Sequence, residues 1–331
     1  MSPSSSPAVQ THGLTRRYRD VLAVDGLGLT VERGEIYGFL GLNGAGKTTT
    51  IRMLLGMIRP SAGRAAVLGA PVRRGGRGPW DRVGYLVESP APYPGLTVAE
   101  NLWAAARLRG VGGGAVARVV ERLGLAPYAS RKARSLSQGN RQRLGLALAL
   151  FHEPELLILD EPANGLDPAG VVEVRELLQA LAADHGVTVL MSSHILAEVD
   201  RLATRIGIIH EGRLIEEMSA AEMERRRALR LVVEARDTDA ARRVLQAAGY
   251  GPEPGGDGLV LRDARAVARP DDVAAALAGA GHPPTRLAVE QEDLEAHFLR
   301  LTAGGRAAAG AREAADDDPV TGVSSGRAAA S

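Results

Sequence analysis

Short apolar runs alternate with stretches of helical spacing over the first two thirds of the chain. Residues 36–40, 83–87, 156–159, 187–191 and 205–209 are runs of four or five mostly apolar positions, long enough for a buried strand and too short for a buried helix. Between them, segments such as 48–57 and 141–150 carry the spacing of helices. Such alternation predicts an α/β domain with a largely parallel sheet. The texture changes near Ser219. After the charged stretch 222–230 come strand-like 229–233, helical 239–248, strand-like 258–261, helical 271–278, strand-like 286–289 and helical 292–301. That order predicts a small α+β module, for which a ferredoxin-like arrangement is one candidate.

The expected organisation is a polar tail over 1–8, an α/β domain over 9–222, the α+β module over 223–303, and a solvated Ala/Gly/Arg-rich and acidic tail over 304–331. The polar start has neither the basic nor the apolar region of a secretory signal. No apolar run approaches the roughly 20 residues of a membrane helix. A soluble, cytoplasmic chain is expected, one that would work at a membrane only through a partner. No internal repeat is seen.

Composition narrows the chemistry. Without cysteine, a disulfide framework, a zinc-thiolate site, an iron–sulfur cluster and a catalytic thiol are all excluded. Forty basic residues against 39 acidic ones leave a net charge of +1, which provides no general field for nucleic acid, and no nucleic-acid partner is expected. Only two of the basic residues, Lys47 and Lys132, are lysines.

Lys47 belongs to Gly41-Leu-Asn43-Gly44-Ala45-Gly46-Lys47-Thr48-Thr49, which matches G-x-x-x-x-G-K-[ST] between a predicted strand and a predicted helix. Glycines in such a loop let backbone N–H groups turn inward on phosphate oxygens, and the helix N-terminus adds a favourable dipole. Lys47 would reach the β- and γ-phosphates, and the Thr48 hydroxyl can ligate Mg²⁺. The apolar run 156–159 ends in Asp160-Glu161, aiming two acids out of the sheet's C-terminal edge, where α/β folds bind ligands. Asp160 would hold Mg²⁺, directly or through water, and Glu161 would polarise an attacking water. Ser137, ahead of a strong helical pattern, is a natural N-cap that can face an anion.

Leu136-Ser137-Gln138-Gly139-Asn140 resembles the LSGGQ signature of the ABC-transporter ATPases, departing at its third and fifth positions but keeping Ser137 and Gly139. The order of the other motifs over residues 11–216 is similar to that family. The resemblance implies a P-loop NTPase fold (an ABC ATPase with a RecA-like core and a helical subdomain) with ATP and Mg²⁺ as cofactors. It implies that Tyr18 stacks on adenine, that Ser137 and Gly139 touch phosphate, that Asp167 in Gly165-Leu-Asp167-Pro communicates across a dimer, and that His194 senses the γ-phosphate. It also implies a second ATPase subunit, expected as a homodimer, and a separate transmembrane permease subunit docking near 93–108, so that the chain lies peripherally on the inner face of the cell membrane.

One position departs more meaningfully. After the run 83–87, where the family usually has Gln, stands Glu88. Glu offers Mg²⁺ a hard oxygen, and its charge near phosphate could slow turnover or raise its own pKa. The surrounding sequence, and the stretch 292–302, resemble the bacitracin and lantibiotic self-protection and drug-export branch, implying an exporter. A soluble ABC-type ATPase acting on a macromolecular assembly is the alternative. The ribosome-acting kind carries two ATPase halves, and the chromosome-organising kind inserts a long coiled coil where only residues 49–135 stand here.

Overall fold

The structure is a computed structural model describing residues 6–76, 78–88, 92–226, 229–256, 258–291 and 298. It divides into two compact units after Arg226. The first unit begins with β1 (Val9–Tyr18), β2 (Val21–Val31), β3 (Ile36–Leu40), α1 (Lys47–Leu54), β4 (Ala62–Val67), β5 (Ala70–Pro71) and β6 (Val83–Leu86). It continues with α2 (Val98–Arg109), α3 (Gly113–Arg122), α4 (Gln138–Leu150), β7 (Leu156–Asp160) and α5 (Pro168–His185). It ends with β8 (Thr188–Ser193), α6 (Leu196–Asp200), β9 (Arg205–His210), β10 (Arg213–Ser219) and α7 (Ala220–Arg226).

Its central sheet has the order β10-β9-β3-β8-β7-β6. The five strands from β9 to β6 are parallel, and β10 joins β9 antiparallel. Strands β3, β7 and β8 are buried at every position. Both faces of a parallel sheet are covered, which is why these strands read as unbroken apolar runs. Register sets the site: Leu40 pairs with Ser193, and Asp160 with Ser192. The segments that follow β3, β7 and β8 therefore leave the sheet at one edge.

A second sheet, antiparallel with order β2-β1-β4-β5, was not foreseen from sequence. The pairing of β1 with β2 shifts register between Thr11 and Leu14 and twice more before Arg17, and each bulge disturbs the two-residue alternation that marks a strand. The expected tail over 1–8 is corrected at its end. Ala8 is fully buried, its N–H donates to Val31 O at 2.8 Å, and its carbonyl accepts from Leu68 N–H at 2.8 Å. Residues 1–5 lie outside the described residues.

Helices α2, α3 and α4 form the helical part of the unit. Thr97 and Glu100 make a reciprocal capping box at the start of α2, and Gly110 closes that helix at φ +67°. The expected boundary after 222 falls inside α7. Ser219 and Glu222 cap that helix reciprocally: the Ser219 N–H donates to Glu222 Oε2 at 2.8 Å and the Glu222 N–H to Ser219 Oγ at 3.1 Å. Such a box starts a helix rather than a linker.

The second unit runs β11 (Leu229–Ala235), α8 (Thr238–Ala247), β12 (Glu253–Gly255), β13 (Gly258–Leu261), α9 (Ala264–Ala268), α10 (Pro270–Gly279) and β14 (Pro284–Gln291). Its antiparallel sheet has the order β12-β13-β11-β14, the ferredoxin-like β-α-β-β-α-β arrangement. Leu231, Val233, Leu245, Leu259, Leu261 and Leu277 give it a core of its own. The expected helix 292–301, Phe298 apart, and the tail 304–331 lie outside the described residues. Among the described residues no helix is long and apolar enough to cross a membrane.

Candidate functional site

The loop Gly41–Gly46 turns from β3 into α1 under tight steric control. A Cβ at Gly41 would lie 2.6 Å from Ile209 O, and one at Gly46 would lie 2.4 Å from Ala23 O. Gly44 and Gly46 hold φ at +84° and +107°, backbone that L side chains rarely adopt. The Ala45 N–H donates to Leu42 O at 3.1 Å, and the Gly212 N–H reaches Ala45 O at 3.0 Å. Asn43 and Gly44 sit at the loop's exposed crest. The first intrahelical bond of α1 runs from Thr50 N–H to Gly46 O at 2.9 Å. The N–H groups before it, through Lys47, Thr48 and Thr49, precede the helix's own acceptors and suit an anion.

Lys47 is buried, at 5% exposure. Its ammonium donates to Gly41 O at 2.7 Å and Leu42 O at 3.2 Å, and lies 3.7 Å from Glu161 Oε1. Burial lowers its pKa from the ordinary value, while the Glu161 and Asp160 carboxylates work the other way.

Asp160 ends β7, buried, and each of its oxygens accepts one hydroxyl. Thr48 donates to Oδ2 at 2.8 Å and Ser192 to Oδ1 at 2.5 Å. Glu161 follows with φ +51°, its backbone N–H shared between Ser192 Oγ at 3.1 Å and Ser192 O at 3.2 Å. Its carboxylate meets His194 Nδ1 at 3.0 Å through Oε2. Thus Lys47, Thr48, Asp160, Glu161 and His194 converge at the sheet edge that the strand register sets.

The cleft beside them encloses about 460 Å³ and includes Thr48, Asp160 and Glu161 on one side, Gln138 and Gln142 on another, and Glu88. Glu88 follows β6 with φ +57°, and its carboxylate is paired with the Arg52 guanidinium of α1.

Other predicted residues lie outside that lining. Ser137 caps α4, accepting from Asn140 N–H at 3.3 Å. A Cβ at Gly139 would meet Leu166 Cδ2 at 3.6 Å and Gly165 O at 3.7 Å, ordinary contact distances. Asp167 caps α5 by accepting from Gly170 N–H at 3.1 Å. Tyr18 closes β1, half exposed, with the Arg16 guanidinium 4.4 Å above its ring. The unusual Gln138 packs on Gly165, where a Cβ would come within 2.3 Å of its amide nitrogen, so the glycine makes room for it.

Three contributors escaped the sequence reading. Ser192 donates to the Asp160 carboxylate and accepts from the Glu161 backbone N–H, and only its place just ahead of His194 could have drawn attention to it. Gln142 donates to Glu161 O at 3.3 Å and Pro162 O at 2.8 Å, fixing the turn after β7 from within α4. Glu198, one helical turn past His194, has its pKa raised by burial, with His194 lowering it and Glu161 raising it.

A glycine loop closed on a helix N-terminus, beside a strand ending in Asp-Glu at the C-terminal edge of a parallel sheet, defines a P-loop nucleoside triphosphatase. The sequence profile of the ABC transporter family matches residues 24–164. The bacitracin transport ATP-binding protein BcrA of Bacillus licheniformis is 45% identical over 222 residues, covering 67% of this chain and 72% of that one. Its namesake from Enterococcus faecalis is 36% identical over 298 residues, covering 90% and 97%. A solved ATP-binding subunit of an ABC transporter superposes with a TM-score of 0.59 at 28% identity, covering 66% of this chain and 92% of its own. The chain belongs to the ATP-binding subunits of ABC transporters, enzymes that bind and hydrolyse ATP, and is related to their bacitracin and lantibiotic export branch.

Proposed function

We propose that this chain powers an exporter of an antibiotic, drug or peptide whose membrane-spanning part is a separate permease, and that two copies close head to tail on ATP at the inner face of the cell membrane. The observation that carries the ATPase reading is Glu161, held by His194 and Ser192 within 3.7 Å of the Lys47 ammonium. In this reading Glu161 takes the proton from the attacking water. His194 orients that carboxylate, Lys47 carries the phosphate charge, and the loop amides from Gly41 to Thr49 cradle the phosphates. Tyr18 stacks on the base.

The donor set fits Mg²⁺. Thr48 and Asp160 are hard oxygens already 2.8 Å apart, and Mg²⁺ is held in such sites by one or two carboxylates together with substrate phosphates. Glu88 completes the candidates for this ion. When bound, Mg²⁺ neutralises phosphate charge. Everything else in the step is the work of the side chains named.

The head-to-tail dimer is supported by the exposed placement of Ser137 and by the room at Gly139, whose Cβ would meet only ordinary contacts. Asp167 would face the same seam. Permease docking is supported by an apolar groove of about 530 Å³ that Met57, Tyr85, Val87, Leu148 and Phe151 help to line. Tyr93, Trp103 and Leu108 stand exposed nearby in sequence. The export direction rests on the likeness to bacitracin transport proteins. The test is co-purification with a co-expressed membrane permease, followed by ATPase assay with bacitracin or a lantibiotic added. Stimulation by one of these cargoes supports export; a stable ATPase complex on ribosomes and none with any permease overturns it.

A further inference from the structure

Glu88 lines two cavities: the nucleotide cleft with Thr48 and Asp160, and the apolar groove with Met57, Tyr85 and Phe151. Arg52, on the last turn of α1, lines only the groove, and its guanidinium grips the Glu88 carboxylate. The other cation of the groove, Arg109, is turned to Trp80 O at 2.7 Å. Among the described residues lining the groove, Arg52 is therefore the one cation that contacts a residue of the cleft. The guanidinium takes Glu88 Oε1, offsetting the carboxylate's charge and fixing its direction, so a hard cation in the cleft meets a weaker ligand while the pair holds. The Arg52 and Glu88 side chains are 35% and 58% exposed, so water and salt screen the pair, and it exchanges partners at little cost.

We propose that Arg52 is a positioning residue that holds Glu88 on the groove side, and that its release delivers the carboxylate to the Thr48–Asp160 side of the cleft. The inference rests on the reading of that cleft as the Mg²⁺–nucleotide site. It also gives the Glu at this position a task that a neutral Gln cannot perform, since Gln has no charge for Arg52 to hold.

The test uses the full chain as wild type, Arg52→Gln, Glu88→Gln, the double variant and Arg52→Lys. A fluorescent non-hydrolysable ATP analogue is titrated with Mg²⁺ and with EDTA, and melting temperatures are recorded alongside. Arg52→Gln is expected to raise the ratio of Kd in EDTA to Kd in Mg²⁺ at least ~3-fold, a modest change for an exposed pair. It should leave the ratio unaltered in the Glu88→Gln background, and Arg52→Lys should fall between. An equal effect of Arg52→Gln in both backgrounds, or none in the first, overturns the role of Arg52. So does an identical loss in Arg52→Gln and Arg52→Lys that tracks melting temperature. No nucleotide binding by the wild-type chain would instead overturn the site reading itself, and this inference with it.

Discussion

Two glycines at helix N-termini, Gly46 ahead of α1 and Gly139 in the first turn of α4, differ in what surrounds them. Gly46 is locked: its φ is +107°, and a side chain there would strike Ala23 O at 2.4 Å. Gly139 is free, with the nearest atoms at 3.6 and 3.7 Å. Gly46 belongs to a half-site completed by its own chain, from Ile209 and Ala23 to Asp160. Gly139 has room for a side chain beside Leu166 and Gly165, and in the head-to-tail dimer proposed above its glycine serves a partner's nucleotide. The first kind of constraint is a folding requirement and the second a docking requirement, and substitutions separate them.

The largest effect is expected at the chemistry both half-sites serve. Glu161→Gln should cut ATP hydrolysis by ~10²–10⁴-fold, the usual weight of a general base, and should hold an ATP-bound dimer on size-exclusion chromatography. Hydrolysis at the wild-type rate would remove Glu161 from that role. Lys47→Ala should weaken nucleotide binding by about 10²-fold through lost charge-assisted hydrogen bonds, as read by fluorescent-nucleotide titration. Gly46→Ala should destabilise the unit by about 2–4 kcal/mol, through a strained φ and a backbone clash, measured as a drop in melting temperature. Gly139→Ala should stay within ~0.5 kcal/mol of wild type in stability while lowering ATPase activity and dimer formation. If Gly139→Ala instead melts early and Gly46→Ala does not, the contrast between the two half-sites is wrong. The smallest effect belongs to Glu88→Gln, which should keep nucleotide affinity in Mg²⁺ within about 3-fold, because both side chains offer the metal an oxygen.

The locked half of the site was legible in the chain because each part must occupy a fixed place within a few residues. A phosphate loop needs its glycines, lysine and hydroxyl in one short run, and a strand ending in Asp-Glu is visible as apolar text followed by acid. The contacts that hold these parts were not legible. Ser192 reaches Asp160 across 32 positions, and Gln142 reaches Pro162 across 20, distances over which neither spacing nor residue type is distinctive. Within the helical stretch 48–57 nothing in the sequence marks Arg52. Strand β1 was hidden by its bulges, and the β12–β13 hairpin by the brevity of β12, three residues with Pro254 at their centre. The expected boundary after 222 falls inside α7 because Glu222, the first residue of a charged stretch in the sequence, is half of a helix cap.

The scarcity of lysine acquires a practical meaning once Lys47 is seen at 5% exposure beneath its loop. The chain carries two primary-amine side chains in 331 residues, and the other, Lys132, lies exposed ahead of α4. Amine-directed covalent labelling therefore meets almost no competing background on this molecule. A nucleotide bearing an acylating group would have one enclosed amine at its phosphate end and one open amine outside the cleft lining as an internal control. Modification of the first, compared with the second, would count occupied phosphate loops directly, without reference to turnover.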